Sequence, residues 1–129
     1  MNDIEENANG EWWFATDLGI SIWNIFSRQW NHCLKGAVAV TLCKAEKGSV
    51  WVGTYGDGVY LLDAQGRVIQ HLSKQQGGLT TNHIFSIKQD RDGDLWIGGL
   101  DGSLLMMKKG GKGKQLYDIK WIQSSEVLS

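Results

Sequence analysis

Apolar and polar residues follow one another along this chain in short runs, and no run keeps the 3.6-residue spacing of an amphipathic helix. The clearest stretch is Leu79–Leu105, LTTNHIFSIKQDRDGDLWIGGLDGSLL. It predicts a strand over His83–Gln89, a tight turn at Asp92-Gly93 and a strand over Leu95–Gly98. A glycine corner at Gly99–Gly102 and a third strand over Ser103–Met107 follow. β-Branched and aromatic residues fill the strands, and Gly, Asp or Asn marks each break, which is how a meandering antiparallel sheet is written.

The same pattern occurs at Val38–Asp63 and, shortened, at Ile4–Asn24. Aligning the three copies sets Gly10, Gly48 and Gly93 as turn glycines, Trp13, Trp51 and Trp96 as strand tryptophans, and Gly19, Gly58 and Gly102 as corner glycines. Ile4, Leu42 and Ile87 hold one aliphatic position ahead of the turns. The tryptophan strands are apolar on both faces, as in a strand covered on two sides. Outer strands are predicted at Arg28–Cys33, Arg67–Leu72 and Gln115–Ile122. Four strands in about 40 residues is one blade of a β-propeller. The fold class is therefore all-β, with about three four-stranded antiparallel blades forming an incomplete propeller. The expected division is residues 1–36 for a first blade with a truncated first strand, 37–78 for the second, 79–123 for the third, and 124–129 for the first strand of a following blade.

Composition removes several classes. A net charge of −1 over 129 residues offers no footprint for nucleic acid. No apolar run approaches the roughly 18 residues of a membrane span, and the acidic start MNDIEEN is no signal peptide. Cys33 and Cys43 lack a CxxC spacing, and a single disulfide between them stays open.

The run Asn82-His83-Ile84-Phe85-Ser86-Ile87-Lys88-Gln89-Asp90-Arg91-Asp92-Gly93-Asp94-Leu95-Trp96-Ile97-Gly98-Gly99, entered through Gly78-Leu79-Thr80-Thr81, resembles the two-component regulator propeller repeat. That repeat builds the periplasmic sensor domain of hybrid histidine kinases in Bacteroidetes. The first copy departs from it with Phe14-Ala15 for Ile-Gly, the second lacks the leading Asn, and the third has Gly99 for Thr. The resemblance implies a non-catalytic, periplasmic, ligand-sensing propeller in a two-component protein, answering to oligosaccharides. It implies no cofactor, and any kinase activity would lie in parts absent from this chain. A protein-interaction scaffold is the alternative.

Candidate chemistry is sparse. Asp90-Arg91-Asp92-Gly93-Asp94 alternates oxygen ligands, but its glycine is misplaced for a calcium loop, and Asp92-Gly93 suits a two-residue hairpin turn. His32, His71 and His83 lie in different strands without ligand spacing, so no metal site is expected. No nucleophile and base are paired, and no catalytic residue is assigned. Residues that break the repeat are the better candidates for a ligand. Trp12 replaces Val50 and Leu95, Trp23 falls where Leu62 and Met106 do, and Tyr55 sits in a longer corner with Gly56 and Asp57. Aromatic rings of this kind stack on sugar faces, although blade packing explains Trp12 and Trp23 as well. The basic tip at residues 108–114 reads as a solvated hairpin, or as a contact for an anionic glycan.

Three blades do not close a ring. Residues 124–129 align with residues 81–86, and Ile4 aligns with Ile87, so one copy's tail stops about where another's head starts. Self-association through open edges, with Val127 and Leu128 beside the Ile4 end of a second copy, is the expectation that follows. A piece of a longer propeller is compatible with it.

Overall fold

The computed structural model describes residues 1–7, 10–76, 78–109 and 117–122. They form three four-stranded antiparallel sheets, each a meander in chain order. The first holds β1 (Asp3–Asn7), β2 (Glu11–Thr16), β3 (Gly19–Asn24) and β4 (Gln29–Cys33). The second holds β5 (Ala39–Lys44), β6 (Val50–Thr54), β7 (Val59–Leu62) and β8 (Val68–Leu72). The third holds β9 (Ile84–Gln89), β10 (Leu95–Gly99), β11 (Leu104–Lys109) and β12 (Tyr117–Ile122). β5 touches both β1 and β9, so the first strands lie side by side along one inner edge.

Alternation along the strands gives every sheet a forward and a backward face. On the forward face of the first sheet, Trp13, Ile20 and Ile22 pack onto Leu42, Val50, Val52 and Leu62 on the backward face of the second. On the forward face of the second, Trp51, Val59 and Leu61 pack onto Ile84, Ile87, Leu95, Ile97 and Met107 of the third. One tryptophan set among aliphatic side chains is thus the rule of both seams. β6 is buried at every position because it belongs to both.

The turns show why each hairpin closes. In the second sheet Lys47 and Gly48 both take positive φ, 58° and 76°, as a two-residue hairpin turn requires. The third sheet differs from the expectation of such a turn at Asp92-Gly93. Only Gly93 has positive φ there, and its N–H donates to the Asp90 carbonyl oxygen at 3.0 Å, so the turn spans residues 90–93. An aspartate that accepts backbone N–H groups holds the chain in a turn without demanding a second left-handed residue. Register also corrects one alignment: Trp23 faces Trp12 as Leu62 faces Val50 and Met107 faces Leu95, so Met107, not Met106, is the equivalent of Trp23. The longer corner before β11 hides that one-residue offset in the sequence. Residues 110–114 of the basic tip and residues 124–129, with Val127 and Leu128, lie outside the described residues.

Candidate functional site

Trp12 and Trp23 stand opposite each other on β2 and β3, and Trp23 stands opposite Trp30 on β4. Period-two alternation explains the row, because Trp13 and Ala15 turn into the first seam and leave Trp12 and Phe14 on the backward face. The Trp23 and Trp30 rings lie 5.0 Å apart, tilted by 47°, and Phe14 lies 5.8 Å from Trp30. Trp30 is 54% exposed. It stacks on His32 at 6.0 Å and 8°, and His32 Nδ1 lies 2.8 Å from Ser21 Oγ. Phe14, Thr16, Ser21, Trp30 and His32 line a shallow depression of about 350 Å³ on this face. Val50, Leu62, Leu95 and Met107 hold the positions of Trp12 and Trp23 in the other two sheets, and there they are buried in seams. Trp12 and Trp23 therefore occupy seam positions. Sequence reasoning missed Trp30, although folding the strands about Asn24–Gln29 would have set it against Trp23.

Tyr55 belongs to another place. It follows β6, at the end of the strand away from the residue equivalent to Trp12, and is 54% exposed. Its ring lies 4.3 Å from that of His83, tilted by 31°, and the two residues form a β-bridge between second and third sheets. The corner is fixed by its neighbours: Tyr55 N–H donates to the Val38 carbonyl at 2.9 Å, and the N–H groups of Gly56 and Gly58 donate to the Asn82 carbonyl at 3.0 Å. Asn82 in turn accepts the Lys74 N–H on its side-chain oxygen at 2.7 Å. Behind it, His71 stacks flat on Tyr60 at 4.0 Å. His71 Nε2 lies 2.6 Å from the Asp57 carbonyl oxygen, which only accepts, so Nε2 carries the proton and Nδ1 accepts from Gln76 at 3.2 Å. Burial, and secondarily the Asp57 charge, push the Tyr60 phenol above its ordinary value. The structure brings Trp12 and Trp23 together and leaves Tyr55 apart from them, at the opposite rim.

The acidic turn spends its oxygens internally. Asp90 Oδ1 accepts the N–H groups of Asp92 and Asp94 at 2.9 and 3.0 Å, and Oδ2 accepts Trp96 Nε1–H at 3.0 Å. Those bonds, the Trp96 bond first, hold the Asp90 carboxyl below its usual range. Among the described residues no group of three or more His, Cys, Asp or Glu side chains is placed to hold a metal ion. Cys33 and Cys43 are both free thiols. Burial, then the Asp63 charge, push Cys33 up to about 11.

Blades of this form, seamed by tryptophan, define the chain as β-propeller structure, and comparisons place it further. Residues 78–101 match the two component regulator propeller family. The extracellular domain of the hybrid two component system BT3049 from B. thetaiotaomicron superposes with a TM-score of 0.76 at 25% identity, over 96% of this chain and 17% of that one. PorZ, an essential surface component of the type-IX secretion system of Porphyromonas gingivalis, superposes at 0.73 with 22% identity, over 85% of this chain and 18% of that one. The dihydro-heme d1 dehydrogenase NirN gives 0.68 at 16% identity, over 95% of this chain and 28% of that one. The chain thus spans less than a third of the length of each of these structures. No curated protein matches it. The resemblance read from Asn82–Gly99 is the one the family match bears out. No helix among the described residues is long and apolar enough to cross a membrane.

Proposed function

We propose that these blades belong to a periplasmic sensor propeller of a two-component signalling protein, and that the propeller binds oligosaccharides without acting on them chemically. The observation that carries this reading is the match of residues 78–101 to the two component regulator propeller, in a chain whose whole fold follows the extracellular domain from B. thetaiotaomicron. The rim at Tyr55 suits the role best. An exposed aromatic ring, braced by His83 and bordered by Asp57 and Asn82, offers a stacking face with hydrogen-bonding groups beside it. Histidine kinase output would reside elsewhere in such a protein.

The test is thermal unfolding of the protein against a panel of neutral and acidic oligosaccharides. Stabilisation by one class, lost in Tyr55→Ala, supports the reading, since a ligand held by the native state alone raises the midpoint. A flat panel over millimolar sugar counts against it. The protein-interaction alternative draws on a different observation, the open row of Trp12, Trp23 and Trp30.

A further inference from the structure

Both seams inside the chain obey one register. Forward faces present Trp13, Ile22 and Ile20, then Trp51, Leu61 and Val59. The third sheet repeats the set as Trp96, Met106 and Leu104, on the face turned away from the second seam. Backward faces present Leu42, Val50, Val52 and Leu62, then Ile87, Leu95, Ile97 and Met107, and the first sheet repeats that set as Ile4, Trp12, Phe14 and Trp23. The chain therefore carries one forward face and one backward face that no described residue covers. Phe85 on the former is 53% exposed, and Ile4 on the latter is 42% exposed.

Charge follows the same register. Glu5 faces Trp13, Cys43 faces Trp51 and Lys88 faces Trp96, so these three side chains hold one position in successive sheets. Across a seam such a forward residue meets the backward residue of the next sheet's first strand that faces Trp12, Val50 or Leu95, namely Glu6, Lys44 or Gln89. In the second seam the Cys43 thiol accordingly lies against the Gln89 backbone. A further sheet stacked on the third by the same step would set its own residue of that backward position beside Lys88. If that sheet is the first sheet of a second copy, the residue is Glu6, of opposite charge and exposed as Lys88 is.

We infer that the backward face of the first sheet receives the forward face of the third sheet of a second copy, pairing Lys88 of each with Glu6 of the other. Two such contacts are identical by symmetry and close a ring of two copies, which has six blades and lies within the usual four to eight. The seam joins unlike faces, so closure and not open-ended growth depends on the step between sheets being about 60°, the angle of a six-bladed ring. The large rings of Trp12, Phe14 and Trp23 then lie against Trp96, Phe85 and Met106, in a seam richer in aromatic groups than the two within the chain. This inference rests on faces and charges alone and stands or falls apart from any ligand at Tyr55.

The experiment is light scattering on the 129-residue protein and three charge variants, over a tenfold range of concentration at low salt. The expected mass is twice the 14.4 kDa of the chain. Lys88→Glu and Glu6→Lys should each weaken the dimer at least tenfold, since like charges then meet in both seams. The double variant, Lys88→Glu with Glu6→Lys, should recover it, while circular dichroism checks that all four proteins hold the same fold. A monomer at every concentration overturns the inference, and so does a polymer larger than two copies. A dimer indifferent to the single reversals, or one that the double variant fails to restore, also overturns it.

Discussion

Trp51 and Trp96 hold the same position in successive sheets, yet Trp51 is sealed at 0% exposure while Trp96 keeps part of its ring in solvent and ties its indole N–H to Asp90. The difference is a neighbour. Trp51 has the third sheet laid over it, whereas the face that carries Trp96 has no described residue across from it. The energetic consequence is unequal for the same substitution. Trp51→Ala removes a fully buried aromatic ring and leaves a cavity between two sheets, which costs about 3–5 kcal/mol. Trp96→Ala gives up a partly exposed ring and one hydrogen bond, and about 1–2 kcal/mol is expected. Urea unfolding of both variants measures the gap, and equal losses would contradict the seam assignment.

The Trp96–Asp90 bond also has a signature in pH. The Trp96 indole N–H, first among the donors to Asp90, holds its carboxyl below the ordinary 3.8. A carboxyl depressed on folding adds stability above its unfolded value, and that stability is lost as pH falls through the folded value. In Trp96→Phe the ring remains but the donor is gone, so the Asp90 titration should move upward toward 3.8. Side-chain carboxyl NMR reads the shift directly. Asp63, held chiefly by the N–H of Arg67, serves as an internal control that should not move.

Corner glycines separate two costs that are usually confounded. Gly58 has φ +79°, and a Cβ there would collide with the Leu72 carbonyl oxygen, which is fixed in the sheet. Gly102 has φ +83° but open space around it. Gly102→Ala should cost about 1–2 kcal/mol, the left-handed penalty alone. Gly58→Ala should cost clearly more, because backbone must shift as well. Thermal melts of the two variants, compared side by side, give the steric part by difference.

Most of the fold was readable because its signals are local and repeated. Trp13, Trp51 and Trp96 set the period, and glycines close each corner, so strand order and blade identity follow without tertiary knowledge. What the sequence left open depends on seams. Trp12 and Trp23 break the repeat, which is visible, but whether such rings serve a ligand or a packing face is decided by which side of a sheet they occupy. Their register with Trp30, and their equivalence to buried Val50 and Leu62, assign them to a seam face. Tyr55 was legible as a departure in corner length. Its partner His83 was not, because the bridge between them joins two blades across 27 residues of intervening sequence. The misplaced turn at Asp92-Gly93 has the same origin: a dipeptide preference was outweighed by a carboxylate, that of Asp90, two residues upstream.

The two cysteines are each enclosed by a different part of the structure. Cys33 ends β4, and its sulfur lies against Gly66 of the neighbouring sheet, while Cys43 is buried in the second seam. Free and apart, they leave no disulfide to brace the fold. Burial lifts Cys33 from 9.0 to about 11, so at pH 8 its thiolate fraction falls from about a tenth to about a thousandth. Alkylation of native Cys33 by iodoacetamide should therefore run about a hundredfold slower than in urea, even with the sulfur partly reachable. A group whose folded value is raised favours the fold below its unfolded value and loses that contribution as pH climbs through the folded one. Stability should thus decline between pH 9 and about 11, and Cys33→Ala should lessen that decline. Labelling of Cys33 at the same rate in native and urea-unfolded protein would place the thiol in solvent and remove the enclosed seam that the structure gives it.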